Sequence, residues 1–170
     1  YMTKAYNARR LAQIASCLEK AADLLPFEET KKTDFLNAAG ILFGDIGEHQ
    51  KSLELYQRAL EIQENLPPSD QTTLSLCYYN AGLAWGVLGN HKKELAYLEK
   101  SAKIEELHLP SSALHLGAIY NGIGLSWGEN GDFKKQLQFC NMALKIQRKI
   151  LPSNDNNLAG TYSNIGLALE

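Results

Sequence analysis

The sequence predicts an all-α fold, an α-solenoid of antiparallel helix pairs, on three observations. Prolines keep one interval, with Pro26, Pro68, Pro110 and Pro152 each 42 residues apart. Glycines keep the same interval, as Gly40, Gly82, Gly124 and Gly166 and again as Gly47, Gly89 and Gly131. Large apolar residues follow: Tyr1, Phe43, Trp85, Trp127 and Leu169 hold one register, Leu11, Leu53, Leu95 and Leu137 another, and Ile62, Ile104 and Ile146 a third. Self-similarity at one period of this size marks stacked supersecondary units.

Each unit reads as two helices. In the third, Ser111 and Ser112 follow Pro110 and stand where caps are favoured. Leu116, Tyr120, Ile123, Gly124 and Trp127 then recur at helical spacing. Asn130-Gly131 breaks the chain, as glycine just past a helix end does. A second helix starts near Asp132 and carries Phe133, Leu137, Cys140, Ala143, Leu144 and Ile146 on one face until Leu151-Pro152 stops it. Ser69-Asp70 and Ser153-Asn154-Asp155 offer the same caps in other units. No segment alternates with period two, so no strand is expected. Helices are expected near 30–46, 49–66, 71–88, 91–108, 112–129 and 132–150, with an unpaired second helix near 6–25 and an unpaired first helix near 155–170.

The mid-helix glycines cost about 1 kcal/mol each relative to Ala. Gly40, Gly82 and Gly124 are repaid if paired helices touch closely there, opposite the small Ala59, Ser101 and Ala143. On that pattern Phe43, Trp85, Trp127, Leu53, Leu95, Leu137, Ala59 and Ala143 form the core.

Gly40 to Gly47, then Ser52 to Tyr56 and Ala59-Leu60, resembles a tetratricopeptide repeat, as do Gly82 to Ala102 and Gly124 to Leu144. The period exceeds the usual length of about 34 residues. In this it resembles the long-helix subclass of kinesin light chains and nephrocystin-like proteins. Ile150 to Gly166 is the closest stretch; similar linkers join repeats attached to ADP-ribosyltransferase or nucleotide-binding signalling domains. His49 and His91 depart from the family's aromatic at the start of the second helix, where Phe133 keeps it. The resemblance implies one superhelical array over 1–170: a partial repeat at 1–26, repeats at 27–68, 69–110 and 111–152, and a truncated first helix at 153–170. Both ends then fall inside a repeat, which reads as a slice of a longer protein. Poorly covered apolar faces around Leu11, Ile14 and Leu18, and around Ile165 and Leu169, are expected to favour end-to-end self-association.

Composition narrows the function. There are 17 basic and 19 acidic residues, and the lysine pairs are scattered, which argues against nucleic acid. No apolar run approaches a membrane span, and no leader pattern is present. Cys17, Cys77 and Cys140 make no CxxC pair and are expected to be buried, inert thiols in a reducing, cytoplasmic setting. His49, His91, His108 and His115 lack metal-ligand spacing, and no phosphate loop occurs. No catalytic residue, cofactor or metal is expected.

A binding stripe is the remaining feature. Gly44, Gly86 and Gly128 each lie seven residues after Asn37, Tyr79 and Asn121, with Ile41, Leu83 and Leu125 between. Asn80 and Asn164 occupy the next register. The family resemblance implies that first helices line a concave groove whose asparagines hold ligand backbone. An amide both donates and accepts, so it pairs with an extended peptide of any sequence. The competing reading is that the glycines only let helices pack and that the asparagines bond neighbouring backbone. The expected partner is a protein or peptide. The alternatives are a sensor or autoinhibitory arm of a nucleotide-binding switch protein, or accessory repeats of an enzyme such as an ADP-ribosyltransferase.

Overall fold

A computed structural model describes residues 2–25, 29–67, 71–109, 111–152 and 155–169. The secondary structure among them is helical, with no strand. In chain order the helices are α1 (Met2–Leu24), α2 (Glu29–Asp45), α3 (His49–Glu64), α4 (Gln71–Val87), α5 (His91–Leu107), α6 (Ala113–Glu129), α7 (Phe133–Ile150) and α8 (Asn156–Leu167). Their positions lie close to those the periodicity predicts. Pro26, Pro68, Pro110, Ser69-Asp70 and Ser153-Asn154 lie outside the described residues. The chain forms two compact units, Tyr1–Leu88 and Gly89–Glu170.

The tight turns inside the helix pairs follow from glycine. Gly47 and Gly131 adopt φ of 88° and 81°, a region that costs an L side chain heavily. After α2 the Gly47 amide donates to the Gly44 carbonyl at 3.0 Å and the Glu48 amide to Phe43 at 2.9 Å. After α6 the Gly131 amide donates to Gly128 at 2.8 Å and the Asp132 amide to Trp127 at 2.9 Å. Both are Schellman closures, which satisfy the last carbonyls of one helix and launch the next. Asp132 then caps α7, its side chain accepting from the Lys135 amide, and Asp155 caps α8 from the Asn157 amide. Ser112 stands at the start of α6 but makes no side-chain cap. Instead Ser112 Oγ donates to the Glu105 carbonyl at 2.7 Å and Ser111 Oγ to His108 at 2.7 Å. The serine hydroxyls therefore serve the end of α5, while the Ser112 carbonyl accepts from the Leu116 amide at 2.9 Å to begin α6.

In the first unit α2 packs between α1 and α3, and α4 packs on α3. Leu36, Leu53, Leu55, Ala39 and Ala59 are buried at the centre. Close approach of α2 and α3 is sealed by Ser52, whose Oγ donates to the Gly40 carbonyl at 2.7 Å. Glu19 of α1 accepts from Lys51 at 2.8 Å and Arg58 at 3.0 Å.

In the second unit α6 packs on α5 and α7, and α8 on α7. Leu98, Leu116, Ile119, Ile123, Cys140 and Ala143 form its centre.

Five burial expectations need correction. Trp85, Trp127 and Leu137 are half-buried. The Trp127 ring lies under Lys135, with Nζ 3.5 Å from its centroid, a cation–π contact that keeps one face near solvent. Phe133 is exposed, not part of the α7 core face. Cys17 is also exposed, because it lies on the α1 face left uncovered.

One register carries a polar seam. Gln63, Glu105 and Gln147 stand 42 residues apart and are all buried. Gln63 Nε2 donates to Thr33 Oγ1 at 3.2 Å, and Thr161 donates to Gln147 Oε1 at 2.7 Å. Glu105 instead meets His115 Nδ1 at 2.8 Å. Each pairing satisfies a polar group that burial would otherwise leave costly.

Candidate functional site

The predicted groove residues divide into those that meet in an open cleft and those already engaged. Ile41, Asn80 and Leu83 come together in the first unit, lining a cleft of about 210 Å³ over Gly44. Its apolar wall also includes Ala84 and Val87, and its polar side presents Asp45, His49, Ser52 and Tyr56. Ile41 and Leu83 are 49% and 36% exposed, so both aliphatics face the cleft with much of their surface open to solvent. The Asn80 side chain is partly accessible. Burial pushes the Tyr56 hydroxyl above its ordinary range; the Ser52 hydrogen bond opposes this and the Asp45 charge adds to it. The Asp45 field thus reaches into the cleft.

Asn37 is not at a surface. It is 5% exposed, and its Nδ2 donates to Cys77 Sγ at 3.4 Å, tying α2 to α4. Its Oδ1 has no hydrogen-bond partner among the described residues. Tyr79 is half-buried, with its hydroxyl raised by desolvation, and does not line the cleft. In the second unit, Asn164 Nδ2 donates to Asn121 Oδ1 at 3.1 Å, which joins α8 to α6. Leu125 is 39% exposed beside them.

Glycine in the second position serves both purposes that the sequence left open. A Cβ on Gly44 would stand 3.4 Å from Ser52 Oγ, ordinary contact, so the glycine keeps the cleft floor low. A Cβ on Gly128 would collide with the Gln136 amide, at 2.4 Å from Oε1. Ser52 and Gln136 share one register, 84 residues and two periods apart. Short Ser52 bonds the α2 backbone and leaves space; long Gln136 fills it and donates to the Asn164 carbonyl at 3.1 Å.

His49 stands out in the sequence only as a departure from the family's aromatic, and Asp45, Ser52, Tyr56 and Val87 are not singled out there as site residues. They sit where the repeat varies, and attention to invariant registers passes over them. The legible signal was that variation: Asp45, Val87 and Glu129 share a register, as do Tyr56, Leu98 and Cys140.

No cluster of three or more His, Cys, Asp or Glu that could hold a metal occurs among the described residues. Burial pushes the Cys140 thiol up to about 11, so it is protonated and unreactive near neutrality. No described helix is long and apolar enough to cross a membrane.

No protein-family model matches the sequence, and no curated protein is similar to it. Solved structures share its fold. BtubC (BKLC) from P. vanneervenii superposes with a TM-score of 0.81 at 16% identity, over 98% of this chain and 66% of that one. The nearly identical TPR-like repeats of a putative kinesin light chain from Podosopora anserina give 0.74 at 18% identity, over 98% and 84%. The apo form of RapI gives 0.80 at 18% identity, over 96% and 44%. The chain thus spans just under two thirds of BtubC and less than half of RapI. At these identities the likeness establishes the fold, an array of TPR-like helical repeats.

Proposed function

We propose that this TPR-like array is a non-catalytic protein-interaction module that holds an extended peptide or a partner helix on the exposed face of its first helices. One observation carries the reading: Ile41, Asn80 and Leu83 meet in an open cleft, with two exposed aliphatics beside an accessible amide. Apolar side chains exposed together cost free energy unless a partner covers them. An amide beside them fixes backbone direction without demanding a sequence. In this proposal Asn37 and Tyr79 belong to the same surface of the first unit, and Asn121, Leu125 and Asn164 form the corresponding stripe of the second unit, with Asn37 and the Asn121–Asn164 pair supporting the wall rather than reaching the ligand. The setting we propose is cytoplasmic, with the peptide held by the chain's own side chains and no cofactor. As a sensor arm of a switch protein, or as accessory repeats of an enzyme such as an ADP-ribosyltransferase, the chain would act through the same surface.

The test is a random peptide display library selected on the intact chain. Recovered peptides are then measured against the Asn80→Ala variant, with affinity and urea melts taken on the same samples. Lost affinity with a nearly unchanged melt supports the groove. A destabilised variant with unchanged affinity per folded molecule makes Asn80 scaffold.

A second copy of the chain is the other partner we propose. Ile14 and Leu24 on α1 are 49% and 79% exposed, and Tyr162 and Leu167 on α8 are 51% and 56% exposed. Sedimentation velocity should show concentration-dependent association that Ile14→Glu and Leu167→Glu abolish; a monomer at high concentration removes this partner.

A further inference from the structure

We propose that the cleft over Gly44 is a subsite for a basic side chain, arginine or lysine, of an extended peptide partner. The inference rests on the peptide-binding reading and adds the chemistry of the ligand.

Size comes first. A cleft of about 210 Å³ is below the range of about 300–1,000 Å³ typical of small-molecule pockets. It suits one long side chain better than a whole small-molecule ligand. The lining suits a side chain that is apolar along its stem and charged at its tip. Ile41, Leu83 and Val87 supply the wall for methylenes. Asp45 supplies the only acidic group of the lining, and no basic side chain other than His49 faces it there.

The charge of Asp45 is uncommitted. No hydrogen bond or ion pair to it occurs among the described residues. The nearest basic side chains of α3 are taken up elsewhere: Lys51 by Glu19, and Arg58 by Glu19 and Asp23. Helix ends add to the preference. The cleft gathers the C-terminal residues of α2 and α4, Asp45 and Val87, against the single N-terminal turn of α3. Helix C-termini favour cations, and neither α2 nor α4 has a basic residue in its last turn to use that field. Asn80 makes no side-chain hydrogen bond among the described residues, so its amide oxygen is available to an incoming N–H. A planar guanidinium can donate to the carboxylate and the amide oxygen together.

The chain carries its own contrast. Where Ser52 leaves space over Gly44, Gln136 fills the space over Gly128. Openness over these two glycines therefore follows from the residue facing each, Ser52 or Gln136, and not from the helix-pair fold alone.

The probe is Nα-acetyl-arginine N-methylamide, followed by two-dimensional NMR on the intact chain, with the neutral citrulline analogue as control. Arginine should shift the Asn80 side-chain amide and the Ile41, Leu83 and Val87 signals. Citrulline should bind at least about tenfold more weakly, the loss of one charge-assisted contact. Asp45→Asn should lose the same factor, and Ser52→Gln should remove the shifts by filling the cleft. A native-like spectrum certifies each variant, and Asp45→Asn, on an exposed position, decides the matter if Ser52→Gln does not fold. Equal binding of arginine and citrulline, indifference to Asp45→Asn, or shifts away from α2 and α4 would overturn the proposal. Selected peptides that bind while the arginine probe does not would overturn the subsite and leave the groove standing. Arginine binding with no peptide recovered would keep the cation site and remove the groove.

Discussion

Replacing Gly124 with Ala adds one methyl group where the α6 and α7 backbones come close together. An ideal Cβ there stands 2.6 Å from Cys140 Sγ, 3.2 Å from the Gln136 carbonyl oxygen and 3.3 Å from the Cys140 amide nitrogen. Two of these neighbours are backbone, so the helices themselves must part. Overpacking of this kind costs typically about 1–3 kcal/mol, and rigid backbone neighbours place it in the upper half of that range. The helix propensity of Ala over Gly returns about 1 kcal/mol. The net expectation is a loss of roughly 1–2 kcal/mol by that difference. Gly160 is the internal control: it is also helical, and a Cβ there meets nothing within 4 Å. Only the propensity gain should appear, up to about 1 kcal/mol of stabilisation. Urea melts of both variants read the difference directly. A Gly124→Ala protein as stable as the parent, or a destabilised Gly160→Ala protein, would refute close packing as the reason for the glycine register.

Three further predictions follow from the same packing. Glu105→Gln should be tolerated within about 1 kcal/mol, because a Gln amide oxygen still accepts from His115 Nδ1 and the same register carries buried Gln63 and Gln147; Glu105→Ala, which removes a fully buried side chain and the partner of half-buried His115, should cost more, about 1–3 kcal/mol in the same melt. Maleimide labelling of the native chain at pH 8 should modify Cys17 quickly and spare Cys77 and Cys140, which are buried; Cys140 is also held protonated, its thiol pushed up to about 11. Labelling of all three at one rate would contradict the burial. Ile41→Lys should leave melting nearly unchanged, since the side chain is 49% exposed, yet reduce peptide affinity; a strongly destabilised variant would make Ile41 a packing residue.

The helices were legible because a period of 42 residues repeats the same steric events. Gly47, Gly89 and Gly131 all take positive φ, and each sits between two helices whose limits the periodicity locates. The paired glycines were harder to read, because a bare glycine does not say what fills the space above it. That depends on Ser52 or Gln136 in a different helix, a contact outside any local pattern. The caps at Ser111 and Ser112 misled for a similar reason: a serine between two helices can serve either one, and both hydroxyls turn back toward α5. Tryptophan was expected inside by size and register. Position near the end of α6, with Lys135 over the ring, leaves Trp127 only half covered. For the site, Ile41, Asn80 and Leu83 were legible as one stripe. Asp45 and Ser52 were not, because their importance lies in departing from the repeat.

The claim that the exposed face of α2 and α4 receives a peptide is tested most directly by mapping where a bound peptide sits. A display-selected peptide titrated into the isotopically labelled chain should shift the Ile41 and Leu83 methyl signals and the Asn80 side-chain amide most strongly, and Leu83→Lys should abolish its binding while the chain stays folded. Strong shifts confined to α1 or α7, with binding unchanged in Leu83→Lys, would contradict the account.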